Sequence, residues 1–193
     1  MTILALNGSP RENGNTNFLL DRLLEHFSHD TKRWDIDRMS YDGLDRIEPC
    51  KNCGHCAKQE FCRDSCLAKA GNMSKIYNGD YDILVVSSPL YFCDLTPPLI
   101  NALSRLQPFY MGKMELPPRK RLGALLLTGG GAFGQNYKTA LQKTKFLFRP
   151  LGIEFDNTNG VVVSLDTDRV IAQHDEVAIA SVYNLYMFLN SQF

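Results

Sequence analysis

The sequence predicts a doubly wound α/β fold: a five-stranded parallel sheet in the order 2-1-3-4-5 with helices on both faces. Three observations predict it. Short apolar runs recur along the chain, with segments of helical apolar spacing between them. The interior runs are apolar without alternation, as in strands buried on both faces. Loops rich in Gly, Ser, Asn and Pro follow the first, third and fourth runs, and in this topology ligands sit at the carboxyl ends of strands 1, 3 and 4.

Taken in order, Thr2–Leu6 is a short apolar strand and 7–15 a polar loop. Thr16–Phe27 places Phe18, Leu19, Leu20, Leu23, Leu24 and Phe27 at helical spacing. Arg33–Met39 sets Trp34 and Ile36 against charged residues, the pattern of an edge strand. A cysteine-rich excursion follows over about 47–79, with a short helix around Met73–Tyr77. Tyr81–Ser88 is the third strand, and Pro97–Leu106 is a helix with prolines in its first turn. Leu122–Thr128 is the fourth strand, Gly129–Gly134 a glycine loop, and Gln135–Phe148 a helix ending near Pro150. The last strand comes in two pieces, Ile153–Phe155 and Val161–Leu165, before a final helix over Arg169–Leu189.

The 193 residues suffice for one well-buried domain, residues 1–193, and are too few for two ordinary ones. Lys plus Arg and Asp plus Glu both number 21, which argues against a nucleic-acid binder with its basic stripe. The opening MTILALNGSP lacks a basic leader, and no apolar run reaches the ~18 residues that cross a bilayer. A cytoplasmic protein that uses no membrane is expected. In that compartment clustered cysteines read as metal or redox sites rather than disulfides.

Three loops carry candidate chemistry. The first, Asn7–Asn17, joins a buried strand to a helix start, where free amides and the helix dipole suit a phosphate. Ser9, Asn13, Asn15, Thr16 and Asn17 offer neutral polar groups there and Arg11 a charge. The same residues also fit an ordinary loop with Asn15 or Thr16 as helix cap. The second loop carries Pro89, Leu90, Tyr91 and Phe92, whose aromatic faces suit a flat ring, although aromatics are more often core. The third runs from Thr128 through Gly129, Gly130 and Gly131 to Gly134. It matches G-x-G-x-x-G, with Glu154 twenty residues past Gly134, and so competes as a dinucleotide site. It lies on the fourth strand rather than the first, and a glycine loop lets backbone approach a flavin ring equally well.

Five of the six cysteines, Cys50, Cys53, Cys56, Cys62 and Cys66, fall in one short run. C-x2-C-x2-C-x5-C is metal spacing, because two intervening residues let consecutive sulfurs curl round one centre. His55 lies inside the run and is expected to be solvated. Cys93 reads as a small packed residue or, less commonly, a reactive thiol. His26, His29 and His174 read as surface residues. The apolar stripe of the final helix reads as core, with a subunit contact as the alternative.

G-S-P-R-x-x-G-N-T after strand 1, C-x2-C-x2-C before strand 3, P-L-Y-F after strand 3 and T-G-G-G after strand 4 together resemble the NADPH-dependent FMN reductase superfamily, and within it the iron–sulfur flavoproteins. The resemblance implies a flavodoxin-like fold with FMN as cofactor. The phosphate would lie on Ser9, Arg11, Asn15, Thr16 and Asn17, and the ring against Pro89–Phe92 and Thr128–Gly131. It further implies hydride uptake from NAD(P)H, transfer to a quinone, flavin or iron–sulfur/protein acceptor, and a homodimer or homotetramer. A [4Fe–4S] cluster would sit on Cys50, Cys53, Cys56 and Cys62, with Cys66 competing as fourth ligand. Two rivals stand beside this reading: an electron carrier without NAD(P)H turnover, and a plain flavoprotein whose four thiolates hold structural zinc.

Overall fold

In the computed structural model, which describes residues 1–54, 56, 73–131 and 136–193, five strands form one parallel sheet in the order β2-β1-β3-β4-β5. The strands are β1 (Thr2–Asn7), β2 (Asp35–Met39), β3 (Ile83–Pro89), β4 (Leu122–Gly129) and β5 (Val161–Leu165). This is the predicted flavodoxin-like topology. Register follows the apolar runs: Ile3 faces Ile83, which faces Leu122, and Ala5 faces Val85, which faces Ala124.

Successive side chains leave a strand on opposite faces, so each central strand feeds two cores. Leu4, Leu6, Leu84, Val86, Leu125 and Leu127 enter one core. It is closed by α2 (Tyr41–Asp45), α3 (Ser74–Asn78), α4 (Pro97–Ser104), α5 (Gln107–Tyr110) and α6 (Lys138–Phe148). Ile3, Ala5, Ile83, Val85, Ala124 and Leu126 enter the other, beneath α1 (Asn15–Ser28) and α7 (Glu176–Asn190). Burying a large aliphatic side chain stabilises by about 1.5–3 kcal/mol, so the unbroken apolar runs hold both layers to the sheet. β2 pairs only with β1 and is charged, as suits an edge. Arg38 of β2 meets Asp21 at 2.5 Å, and Asp37 pairs with Lys75.

Several boundaries differ from the sequence reading for identifiable reasons. The helix expected over Pro97–Leu106 stops at Ser104, and a second short helix starts at Gln107 with Pro108 in its first turn. The helix expected from Gln135 starts at Lys138, and residues 132–135 lie outside the described ones. The final helix starts at Glu176 rather than Arg169, because Asp175 caps it and accepts from the Ala178 amide at 3.0 Å. Asp175 also accepts from the Ser164 hydroxyl at 2.7 Å, which fixes the cap to the end of β5.

The last strand does come in two pieces. Glu154 bridges Leu122, and β5 then pairs with Leu125–Gly129. Between them the Asp156 carboxylate accepts from the Asn159 and Thr158 amides, bonds that hold it below the usual carboxylate range. His26 is not a bare surface residue. It stacks on Tyr186 with centroids 5.2 Å apart and meets Tyr183 edge-on at 5.4 Å, joining α1 to α7. The stripe of α7 divides: Val182, Leu185 and Leu189 are core, while Val177, Tyr183 and Met187 are exposed. No helix among the described residues is long and apolar enough to cross a membrane.

Candidate functional site

The β1–α1 loop is wired to itself. The Asn7 side chain accepts from the Ser9 amide at 3.1 Å, and the Ser9 hydroxyl accepts from the Arg11 amide at 3.3 Å. Asn17 donates its side-chain amide to the carbonyls of Arg11 at 2.8 Å and Glu12 at 2.7 Å. These bonds turn loop carbonyls toward Asn17. At the start of α1 the N-cap is Gly14, which offers no side-chain acceptor, and the first turn contains no acidic residue. The free amides of that turn therefore lack an internal partner, the arrangement that receives a phosphate.

Hydrogen bonds then stitch this loop to three others. Thr16 Oγ1 and Thr128 Oγ1 lie 2.6 Å apart, joining the first loop to the end of β4. The Leu90 amide donates to the Thr128 carbonyl at 2.8 Å, joining the β3 loop. The Thr167 amide and hydroxyl both donate to the Gly129 carbonyl, at 2.9 and 3.1 Å, joining the loop after β5. The Ala172 amide donates to Asn15 Oδ1 at 2.9 Å and closes the ring of contacts. Behind the loop, Thr96 donates its hydroxyl to the Gly8 carbonyl at 2.9 Å. Leu99 of α4 presses so close to Gly8 that a Cβ there would lie 2.2 Å from its Cδ1. Only glycine fits at position 8.

The result is a cleft of about 180 Å³ at the carboxyl edge of the sheet. Of the predicted residues, Ser9, Arg11, Asn15 and Thr16 line it, with Pro89, Leu90, Tyr91, Thr128, Gly129 and Gly130. Asn13, Asn17, Phe92 and Gly131 are not among its lining. Asn17 braces the loop from behind, and Asn13 and Gly131 face solvent. Tyr91 is 43% exposed, and Phe92 is fully exposed on a turn whose φ angles are +51° at Phe92 and +65° at Cys93. Neither aromatic is core. Asn15 spends its Oδ1 on Ala172 and Thr16 its hydroxyl on Thr128, so the backbone amides and Asn15 Nδ2 are what these two positions offer a ligand.

The sequence reading missed Pro10, Gly14, Thr167 and Asp168, which also line the cleft. Thr167 and Asp168 follow Asp166, whose φ of +64° turns the chain back over β4. Among the described lining residues Arg11 is the one cation and Asp168 the one anion. The Asp168 carboxylate stands against Gly130, where a pyrophosphate held by the glycine loop would meet like charge. That placement favours a neutral ring over a dinucleotide bridge at Gly129–Gly131. A larger hollow of about 400 Å³ beside α6, between Phe146, Arg149 and Phe155, carries no strand-end loop and no such set of amides.

The cysteine run is reached through α4. The Cys50 amide donates to Ser104 Oγ at 2.9 Å, and Arg105 Nε donates to the Glu48 carbonyl at 2.5 Å. Asn52 and Gly54, on either side of exposed Cys53, have φ angles of +49° and +75°. Cys50 and Cys56 are half-buried. Cys62, Cys66 and His55 lie outside the described residues. Thiolates suit a cluster or zinc, but among the described residues no three ligating side chains converge.

Comparison with known proteins agrees with this architecture. A family model described as NADPH-dependent FMN reductase matches residues 1–147. An iron–sulfur flavoprotein of Archaeoglobus fulgidus is 30% identical over 133 residues, 67% of this chain and 60% of that protein. One of Methanosarcina thermophila is 26% identical over 72% of this chain and 69% of its own length. The chain's match thus leaves 40% of the Archaeoglobus protein's length uncovered. Among solved structures, an FMN-dependent NADH-azoreductase from Bacillus anthracis in complex with FMN superposes with TM-score 0.68 at 15% identity, over 100% of this chain and 99% of that one. A Streptococcus pneumoniae flavodoxin superposes with TM-score 0.64 at 13% identity, over 100% of both chains. These structural likenesses speak for the fold, and the family match covers three of the four loops that build the cleft: the chain belongs to the NADPH-dependent FMN reductase family.

Proposed function

We propose that this protein is an FMN-dependent oxidoreductase that takes hydride from NAD(P)H and passes the electrons to a quinone, a flavin or a protein acceptor. The observation that carries the proposal is the joining of an uncapped helix start to two ring-sized loops in one cleft. The donor chemistry fits FMN. The free amides of α1, Ser9 and Arg11 suit a single terminal phosphate, and Pro89–Tyr91 with Thr128–Gly130 suit the ring. Bound there, FMN supplies the hydride chemistry itself.

The chain's own residues bind and orient. Arg11 neutralises phosphate charge, Thr16 and Thr128 fix the distance between phosphate loop and ring loop, and Tyr91 walls the open side. No acid–base pair is demanded of the protein, in keeping with a cleft whose described charged lining is Arg11 and Asp168 alone. The described cysteines do not assemble a metal site, so no electron-transfer step is assigned to them. The names of the relatives, iron–sulfur flavoproteins, favour a cluster on Cys50, Cys53, Cys56 and Cys62 or Cys66 as the reading for that segment.

Cofactor released by heating should run as FMN on chromatography, and anaerobic NADH or NADPH should bleach the flavin absorbance of the loaded protein. Release of FAD would overturn the cofactor assignment. A flavin that neither nucleotide reduces would make the protein an electron carrier instead.

A further inference from the structure

The cleft contains one group that phosphate binding does not use. The Asp168 carboxylate lines it, and a Cβ on Gly130 would lie 2.6 Å from its Oδ2 and 2.7 Å from its Oδ1. It stands on the ring side of the cleft, against the glycine loop. The side chain is exposed, and the backbone that carries it is held. Asp166 turns the chain with φ of +64°, Thr167 bonds the Gly129 carbonyl twice, and Ala172 bonds Asn15. Among the described residues no ion pair or hydrogen bond neutralises the carboxylate: Arg169 pairs with Asp166 instead, at 3.7 Å.

We infer that Asp168 sets the reduction potential of the bound flavin, holding it low. The inference rests on the FMN reading of the cleft. Reduction adds negative charge to the flavin ring, and a carboxylate beside the ring opposes that charge more than it opposes the neutral oxidised ring. Protein charge near the ring is among the means by which a binding site tunes a flavin. The residue therefore acts on the difference between the two oxidation states and leaves oxidised FMN well bound. A low potential in turn suits a protein that must hand electrons onward rather than keep them.

The test is an anaerobic spectroelectrochemical titration of FMN-loaded protein. Asp168→Asn, which keeps the shape and removes the charge, should raise the two-electron midpoint potential by about 30 mV, a tenfold change in the ratio of reduced to oxidised affinity. Its affinity for oxidised FMN should stay within about threefold of the native protein, because the charge acts on the reduced state. Asp168→Glu should keep the low potential, and Glu176→Gln, which removes an exposed carboxylate at the start of α7, should leave it unmoved. A shift below about 10 mV, roughly twofold, in both Asp168→Asn and Asp168→Ala would overturn the inference while leaving the FMN reading intact. Loss of FMN binding by both variants would also overturn it, since it would make Asp168 a holding residue. A native protein that takes up no FMN would overturn the cofactor reading, and this inference with it.

Discussion

In the cleft, Thr16 and Thr128 touch across 112 positions of sequence, and each wall reaches its place because a different strand ends there. In the cysteine run, Cys50, Cys53 and Cys56 stand within seven positions of one another, yet no three ligating groups converge among the described residues. The cleft has the sheet as its frame and hydrogen bonds between its loops. The run hangs from the far end of α4 by the bonds of Ser104 and Arg105. Closeness in sequence supplies donors, whereas a frame supplies geometry.

The two regions should therefore fail independently. The largest effect is expected at Gly8. Gly8→Val drives a side chain into Leu99 and Thr96, an overpacking cost of about 1–3 kcal/mol. Purified protein should carry little FMN and melt at lower temperature. Next comes Thr16→Val, which leaves the buried Thr128 hydroxyl without its partner. An unpaired buried group costs about 1–3 kcal/mol, so FMN affinity in an equilibrium titration should fall about tenfold.

A smaller effect, confined to acid, is expected at Asp30. A hydrogen bond from the Tyr186 phenol lowers its pKa, and the Lys32 amide adds to this. A carboxylate with a lowered folded-state pKa contributes stability above its unfolded pKa and loses it as pH falls through the folded value. Asp30→Asn should melt below the native protein at neutral pH, and the gap should close in thermal scans as pH drops below about 3.8. The smallest effect on the cleft is expected from Cys53→Ser. Metal content after anaerobic purification should fall while FMN per chain stays unchanged. Equal loss of both would show that the run supports the flavin site.

Much of this was legible in the residues. Unbroken apolar runs such as Ile83–Val86 announce strands buried on both faces, and the sheet order follows from where helices must fit between them. The β1–α1 loop was legible as a wall of the cleft because its polar residues crowd between a strand and a helix. Asp168 was not, because it depends on a left-handed turn at Asp166 that no glycine or Asn-Gly signal marks. Asn17 also braces its loop, since its side-chain nitrogen is spent on two carbonyls there. His26 looked solitary because its partners, Tyr183 and Tyr186, arrive from the other end of the chain.

The bonds that stitch the four loops have a consequence for ionic strength. They join hydroxyls, side-chain amides and backbone groups, and no ion pair ties one wall of the cleft to another among the described residues. Salt weakens exposed charge pairs beyond a Debye length of about 8–10 Å, but it has little purchase on neutral hydrogen bonds. The shape of the cleft should therefore hold from dilute buffer to concentrated salt. Any salt dependence of cofactor retention then reports on the phosphate and Arg11 rather than on the walls, which makes a plain salt titration a direct reading of that one contact.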